Sequence, residues 1–189
     1  MASQFSGLRV AFLTANEGVE QAELTVPWLA VREGGGIPEL LAPSAGKVQA
    51  YNHLDKAEAF DVHRSVRDAD PLDYDALVLP GGVANADELR TVPEAATFAE
   101  RIFEMGKPTA VICHGPWLLV EAGLVTGRTL TSWPSLATDI RNAGGAWVDA
   151  EVQVCTAGQN TVVSSRKPDD LPAFCRELGQ VFQQYALPV

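Results

Sequence analysis

The sequence predicts an α/β fold, a doubly wound sandwich with a mostly parallel central sheet. Short apolar runs rich in β-branched residues alternate with segments whose apolar residues recur at helical spacing. This alternation is typical of parallel strands joined by helices that cover both faces of the sheet. The 189 residues suffice for one well-cored domain, so we expect a single domain over residues 1–189. A site in such a fold lies beyond the carboxyl ends of the strands.

The first third of the chain opens with a strand and a returning helix. Residues 8–14 form the first buried strand, and residues 21–32 form a helix that a run of three glycines ends. Residues 37–42 are the second strand. Residues 47–66 contain scattered β-type residues, which we interpret as short strands or a hairpin at the edge of the sheet.

The rest of the chain continues the alternation of strands and helices. Residues 75–79 form a buried strand that ends in a Pro-Gly-Gly turn, and residues 93–105 form an amphipathic helix. The remaining predicted elements are a strand at 108–112, a helix from Pro116 to Gly123, a strand at 129–131, a helix at 135–143, a hairpin of 152–155 with 161–164, and a last helix from Leu171 to Tyr185.

Residues 108–120 are the stretch around which the predicted site is organised. An apolar strand ends at Cys113, a Cys-His-Gly corner follows, and Pro116 stands in the first helical turn, where proline is tolerated. The free N–H groups and partial positive charge of a helix start favour a thiolate. Gly115 lets the helix approach the strand closely. Cys113 is therefore predicted to be a nucleophile with a lowered pKa, although free cysteines are often inert core residues.

Composition and charge argue against several classes of function. The formal charge of −10 disfavours electrostatic binding to nucleic acid or to an anionic membrane. No apolar stretch is long enough to span a bilayer, and residues 1–7 lack a signal core, so we expect a cytoplasmic protein.

Three cysteines without CxxC spacing indicate reduced thiols. The three histidines lack metal-site spacing, and we expect neither a metal nor another cofactor.

Four motifs, in this order along the chain, resemble the ThiJ/PfpI superfamily, and specifically its branch of PfpI-type intracellular proteases and general stress proteins. They are ALVLPGG at 76–82, ICHGP at 112–116, NAGGAWVD at 142–149 and SSRKPDDLP at 164–172. The resemblance covers nearly the whole chain. It implies a flavodoxin-like fold of the class I glutamine amidotransferase type and homo-oligomers built from dimers.

The resemblance also implies a partner for the cysteine. Glu23 stands four residues before Pro27, as does the family's glutamate that reaches the nucleophilic cysteine. A protonated carboxyl there donates to the thiolate and lowers the pKa of Cys113, while burial keeps the carboxyl protonated. Acidic residues also simply favour helix starts, and that explanation suffices for Glu17 and Glu20.

Backbone donors and a second carboxylate complete the predicted site. The N–H groups of Gly82 and His114 are expected to hold a developing oxyanion, although a glycine pair is often an ordinary turn. Asp87 is the best match to a family acidic residue that reaches the histidine of a neighbouring subunit. Such a carboxylate orients the imidazole of His114 and stabilises its protonated form. The alternative for Asp87 is a helix N-cap.

Two hypotheses about function, from different classes, follow from these residues. The first is a stress-response cysteine hydrolase or lyase without a cofactor, in which Cys113 attacks a carbonyl and His114 moves protons. The resemblance implies peptidase, glyoxalase or deglycase activity; a small reactive aldehyde, or its adduct on an amine or thiol, suits a compact pocket better than a peptide. The second is a redox sensor or chaperone in which Cys113 is oxidised instead of turning over substrate.

Overall fold

The computed structural model describes residues 5–185. The predicted single domain over 1–189 extends beyond the described residues at both ends. The prediction that residues 1–7 contain no signal core rests in part on residues 1–4, which also lie outside the described residues. Within the described part, no helix is long and apolar enough to cross a membrane.

Strands and helices alternate as the sequence predicts. The strands are β1 (Arg9–Leu13), β2 (Glu17–Glu20), β3 (Ile37–Ala42), β4 (Lys47–Asn52), β5 (Asp55–Asp61), β6 (Arg64–Ser65), β7 (Ala76–Leu79), β8 (Thr109–Ile112), β9 (Thr129–Leu130), β10 (Ala146–Trp147), β11 (Val152–Cys155) and β12 (Val162–Ser165). The helices are α1 (Gln21–Glu33), α2 (Val83–Arg90), α3 (Pro93–Glu104), α4 (Pro116–Glu121), α5 (Ala137–Asn142) and α6 (Leu171–Gln183).

The central sheet has seven strands in the order β11-β12-β8-β7-β1-β3-β6. Every neighbouring pair is parallel except β11 with β12, which form the predicted hairpin at one edge. Strands β7 and β8 lie in the middle and are buried along their whole length, as expected for strands covered on both faces. The predicted α/β fold with a mostly parallel sheet is confirmed.

Apolar side chains from helices cover both faces of this sheet. On one face α3, α4 and α5 contribute buried residues such as Phe98, Leu118 and Ile140. On the other face α1 and α6 contribute residues such as Leu24 and Phe174. The two cores explain why the strands between them read as nearly continuous apolar runs.

Three parts of the chain differ from the prediction. The hairpin β4–β5 forms, but it joins Glu17–Glu20 in a separate three-stranded sheet, and the edge of the central sheet is the two-residue strand β6. Strand β9 pairs with β10 outside the central sheet. Helix α2 was not predicted, because its sequence VANADELR buries only Asn85, Ala86 and Leu89 and so lacks a continuous apolar face.

Candidate active site

Cys113 occupies the corner between β8 and α4 in a left-handed backbone conformation, with φ of 61°. This conformation is uncommon for a residue with a side chain, and functional sites are where such conformations concentrate. Hydrogen bonds hold both sides of the residue: its N–H donates to Ser165 O at 3.0 Å, and its carbonyl accepts from the N–H of Trp133 at 2.9 Å. The side chain is thereby fixed at the carboxyl end of the central strand.

The glycine that follows the corner allows the close approach that the sequence predicted. A Cβ atom built on Gly115 would lie 2.5 Å from Leu79 O and 3.0 Å from Ile112 O. Neither carbonyl can move without disturbing the central strands, so only glycine fits here.

Helix α1 brings the carboxyl group of Glu23 to the sulfur of Cys113. The Glu23 side chain is completely buried, and its Oε2 accepts a hydrogen bond of 2.8 Å from the N–H of Gly81. A Cβ atom on Gly81 would collide with Glu23 Oε2 and would lie 2.6 Å from Cys113 Cβ. The Pro-Gly-Gly turn therefore needs glycine at this position because the carboxyl and the thiol both pack against it.

Burial changes the acid strength of both groups in this pair. Burial raises the pKa of Glu23 to about 8, although hydrogen bonding with the Cys113 thiol and with Gly81 lowers it in part. Burial thus favours the protonated carboxyl, and the role of Glu23 towards the cysteine stays a prediction. Because Oε2 accepts from Gly81, the buried Oε1 atom is the oxygen left to face the Cys113 thiol.

The predicted lowering of the Cys113 pKa is wrong. Burial raises the pKa of the Cys113 thiol, and a charge on Glu23 raises it further, whereas the N–H groups of Gly82 and His114 lower it. The sequence indicated the donors at the corner but not that the cysteine is only 6% exposed. The thiol and carboxyl interact so closely that they titrate as one pair.

His114 lies beside the thiol in an aromatic setting. Its Nδ1 atom is 3.2 Å from Cys113 Sγ, and its ring stacks on Trp133 and meets the edge of Trp117. Burial lowers the pKa of His114 to about 4, so the imidazole is neutral at neutral pH. A neutral imidazole can accept a proton at one ring nitrogen.

The N–H groups of Gly82 and His114 both hydrogen-bond to the Cys113 sulfur. Gly82 has φ of 92°, and a Cβ atom there would collide with Gly18 O and lie 2.8 Å from Glu20 N. This backbone conformation turns the N–H of Gly82 towards the sulfur. Two backbone donors thus lie where an oxyanion formed at a carbon attacked by Cys113 can be held.

Asp87 lies away from these groups. It sits inside α2 with its side chain 59% exposed, and it accepts hydrogen bonds from Arg90 at 2.8 and 3.1 Å. The N-cap alternative is wrong, because α2 begins at Val83 and its N-cap is Gly82. Within one chain, Asp87 forms no hydrogen bond or ion pair with His114 among the contacts of the described residues.

A cavity of about 720 Å³ opens above the thiol. Cys113, Glu23, Gly82 and His114 lie at its floor, and Asp87 is not part of its lining. The walls and mouth come from β2, the β4–β5 turn, α2 and the segments around residues 133 and 168, namely Glu17, Gly18, Glu20, Tyr51, His53, Leu54, Val83, Ala84, Glu88, Trp133 and Pro168. Among residues 5–185, no group of three or more His, Cys, Asp or Glu side chains is placed to hold a metal ion.

Comparison with known proteins identifies the family. The sequence profile described as the DJ-1/PfpI family matches residues 8–180. The chain belongs to the DJ-1/PfpI family. This DJ-1/PfpI protein is 39% identical to a deglycase of Pyrococcus horikoshii over 93% of its own length and 100% of that relative. It is also 39% identical to general stress protein 18 of Bacillus subtilis, over 84% of its own length and 88% of that relative.

Solved structures show the same fold. A two-domain protein of Anabaena variabilis, with DJ-1/ThiJ/PfpI-like and ferritin-like domains, matches this DJ-1/PfpI protein with a TM-score of 0.84 and 27% identity, over 96% of the chain and 50% of that protein. A ThiJ/PfpI domain protein of Brachyspira murdochii matches with a TM-score of 0.85 and 14% identity, over 95% and 98% of the two chains. The central sheet and its helices are therefore those of the family, as the resemblance implied.

Several residues that line the cavity were not recognised from the sequence, or were given another role there. Glu17 and Glu20 were assigned to a helix start, but they belong to β2 and line the cavity. Trp133 lines it too. The side chain of His53 is 81% exposed and stands at the cavity mouth. Its unusual φ of 58° follows from the tight turn between β4 and β5, for which the sequence offered only the Asn52-His53 pair as a signal.

Proposed function

We propose that this protein is a cysteine hydrolase or lyase of the deglycase type, which acts without a cofactor on reactive aldehydes or on their adducts with amines and thiols. The observation that carries the proposal is the position of Cys113 at the floor of an open cavity, with the Glu23 carboxyl, the His114 ring and two backbone N–H groups around its sulfur. The deglycase relatives that match along their whole length support the choice of substrate.

The active form of the site is the Cys113–Glu23 pair after it has lost one proton. Glu23 has a pKa of about 8, so the pair gives up one proton as the pH rises towards 8, and the proton that remains can lie on the carboxyl and leave a thiolate next to it. In that arrangement the carboxyl no longer repels the sulfur, and its O–H donates to it. The N–H groups of Gly82 and His114 stabilise the same negative charge.

The first chemical step is attack by this thiolate on a carbonyl carbon. A carbon–sulfur bond forms, and the carbonyl electron pair moves to oxygen. The resulting oxyanion accepts the hydrogen bonds that the N–H groups of Gly82 and His114 had donated to the sulfur. The proton that the oxyanion or a leaving amine needs comes from Glu23 or from solvent in the open cavity. The neutral His114 ring, 3.2 Å from the sulfur, is placed to relay it by accepting at one ring nitrogen while it donates from the other.

Asp87 enters this proposal only through a second copy of the chain. Its carboxylate is exposed on α2, so it is available to the His114 ring of a partner in a homodimer or larger oligomer. A carboxylate delivered there would orient the imidazole and raise its low pKa.

We place the protein in the cytoplasm, where the three free cysteines would remain reduced.

The test is consumption of methylglyoxal and of its adduct with an arginine amide by the purified protein. We expect turnover by the wild type, loss in Cys113→Ser, and no loss in Cys175→Ser, which changes a partly exposed cysteine outside the cavity. If neither compound is consumed, or if Cys113→Ser retains the activity, the proposal is wrong. A gain of two oxygens at Cys113 under mild peroxide, without any turnover, would instead support the sensor hypothesis.

A further inference from the structure

The cavity above Cys113 is lined by acidic side chains on several sides. Glu17 and Glu20 come from β2, Glu88 comes from α2, and Glu23 lies beside the thiol. Among the residues that the structure describes, no lysine or arginine lines the cavity. The negative charge at the mouth is therefore not balanced by a cation in the lining.

Contacts with neighbours do not neutralise these carboxylates. Glu17 accepts a hydrogen bond from the Tyr51 hydroxyl at 2.5 Å, and Glu20 accepts one from the backbone N–H of His53 at 3.0 Å. The imidazole of His53 lies 3.8 Å from Glu20 Oε2 and is mostly exposed. In the part of the chain described, Glu17 and Glu88 form no ion pair with a lysine or arginine.

Four cations lie within two positions of a lining residue, and three of them, Arg90, Arg166 and Lys167, are engaged by other acids; the fourth, Lys56 on β5, is not part of the lining. Arg166 donates to Asp149 at 2.7 Å and to Asp170 at 2.8 Å. Lys167 lies 3.1 Å from Asp169. Both residues precede Pro168 in the cavity lining, but their charges are directed to carboxylates outside that lining.

A further feature of the same cavity favours a positively charged occupant. Tyr51 and Trp133 provide aromatic surface in the lining, and aromatic faces attract cations.

We infer that the acidic mouth formed by Glu17, Glu20 and Glu88 selects substrates that carry positive charge, namely carbonyl adducts of amines and guanidines that retain a protonated nitrogen, over neutral and anionic carbonyl compounds. This inference rests on the proposed function, because it concerns the substrate of the same cysteine. Uncompensated carboxylates in a cleft with low-dielectric walls raise the local concentration of cations and lower that of anions.

The experiment measures how fast Cys113 reacts with thiol reagents that differ only in charge. Methanethiosulfonates carrying an ethylammonium, an ethylsulfonate or a methyl group are used, and modification is followed by the mass of the peptide that contains Cys113. Each rate is divided by the rate with a free cysteine derivative. We expect the cationic reagent to react about tenfold faster than the anionic one, with the difference falling at high salt.

Substitutions at the mouth identify the source of this preference. Glu20→Gln and Glu88→Gln are each expected to reduce the ratio of cationic to anionic rates by about two- to fivefold. Glu104→Gln is the matched control: it removes the same charge from an exposed residue paired with Arg101 outside the cavity, and it should leave the ratio unchanged. Equal rates for the three reagents, or an equal effect of Glu104→Gln, would overturn the inference.

Turnover separates this inference from the function on which it rests. The wild type is compared on methylglyoxal adducts of an arginine amide and of an uncharged thiol. A higher kcat/KM for the arginine adduct, reduced by Glu88→Gln through KM, supports both. Turnover of the two adducts with equal kcat/KM refutes the charge selection alone. No turnover, with the reagent preference intact, refutes the proposed function and shows that the charge selection belongs to another ligand.

Discussion

Glu23 Oε2 accepts a hydrogen bond of 2.8 Å from the backbone N–H of Gly81, which fixes the carboxyl group of α1 at the turn after β7. The two residues are 58 positions apart in the sequence. This contact holds the buried acid next to Cys113 and leaves Oε1 as the oxygen that is free to interact with the thiol. The position of the carboxyl beside the cysteine therefore depends on a contact between two elements that are distant along the chain.

Replacing Gly81 by alanine should disrupt this contact. The new Cβ atom would collide with Glu23 Oε2 and lie 2.6 Å from Cys113 Cβ, so either the carboxyl or the corner must move. We expect Gly81→Ala to lower the free energy of unfolding by about 1–3 kcal/mol and to slow alkylation of Cys113. Denaturant unfolding and the rate of iodoacetamide modification measure the two effects.

Gly179→Ala is the control for that substitution. Gly179 lies in the interior of α6, and a Cβ atom there would make an ordinary contact of 3.5 Å with the Phe5 ring. Alanine is the better helix former, so the free energy of unfolding should rise by about 0.5–1 kcal/mol. Alkylation of Cys113 should not change. If both substitutions have the same effect, the contact between Gly81 and Glu23 has no special importance.

The raised pKa of Glu23 predicts how stability depends on pH. The carboxyl has a pKa of about 8 in the folded protein, against 4.5 for an unperturbed glutamate, so its stabilising effect is complete below pH 4.5 and is lost as the pH rises to about 8. In Glu23→Gln this loss is absent. The unfolding free energy of the variant, relative to wild type, should rise with pH at up to about 1.4 kcal/mol per unit between pH 5 and 8.

His114 does not obscure this comparison. Burial lowers its pKa to about 4, so its contribution to stability is present above pH 6.5 and is lost as the pH falls towards 4, in the opposite sense to that of Glu23. Because both proteins contain His114, its effect cancels in their difference. A difference between Glu23→Gln and wild type that is constant from pH 5 to 8 would show that Glu23 is ionised in the folded protein.

The proposal for Asp87 predicts complementation between two inactive variants. Asp87→Asn retains Cys113 but cannot supply the carboxylate, and Cys113→Ser retains Asp87 but has no nucleophile. If Asp87 acts on the His114 of a partner, mixed oligomers of these variants contain sites with both groups and should recover activity. The measurement is turnover after the two proteins are unfolded together and refolded.

If the turnover of the refolded mixture only equals the sum of the turnovers of the two separate variants, Asp87 does not act on the His114 of a partner. Arg90→Gln serves as the control, because Arg90 pairs with Asp87 and stacks over Trp117. It removes that local pair while leaving the Asp87 carboxylate in place, and it should keep most of the activity.

The central sheet could be predicted from the sequence because its strands and helices have strong local patterns. β7 and β8 are continuous apolar runs, and α3 and α6 carry apolar residues at regular helical spacing. The corner at Cys113 was also predictable, because the change from an apolar strand to His-Gly-Pro is a local signal. Local patterns were sufficient wherever an element is buried by its immediate neighbours in the sandwich.

The walls of the cavity could not be predicted in this way. Glu17–Glu20 became a strand because it pairs with β4, about 30 residues further along the chain, and this pairing outweighs the preference of acidic residues for a helix start. The pKa of Cys113 was predicted in the wrong direction for a related reason. Its value depends on how deeply the sulfur is buried, which is set by the packing of Glu23 and Gly81 against it.

The most direct test of the account is the pH dependence of Cys113 alkylation in the wild type, Glu23→Gln and Glu23→Leu. We predict that the wild-type rate rises as Glu23 loses its proton, around its pKa of about 8, because the proton that remains in the pair can then lie on the carboxyl and leave the sulfur charged. The midpoint should move upward in Glu23→Gln, whose amide is a weaker donor, and furthest in Glu23→Leu, which has none. An unchanged or lower midpoint in Glu23→Leu would contradict the claim that Glu23 generates the thiolate.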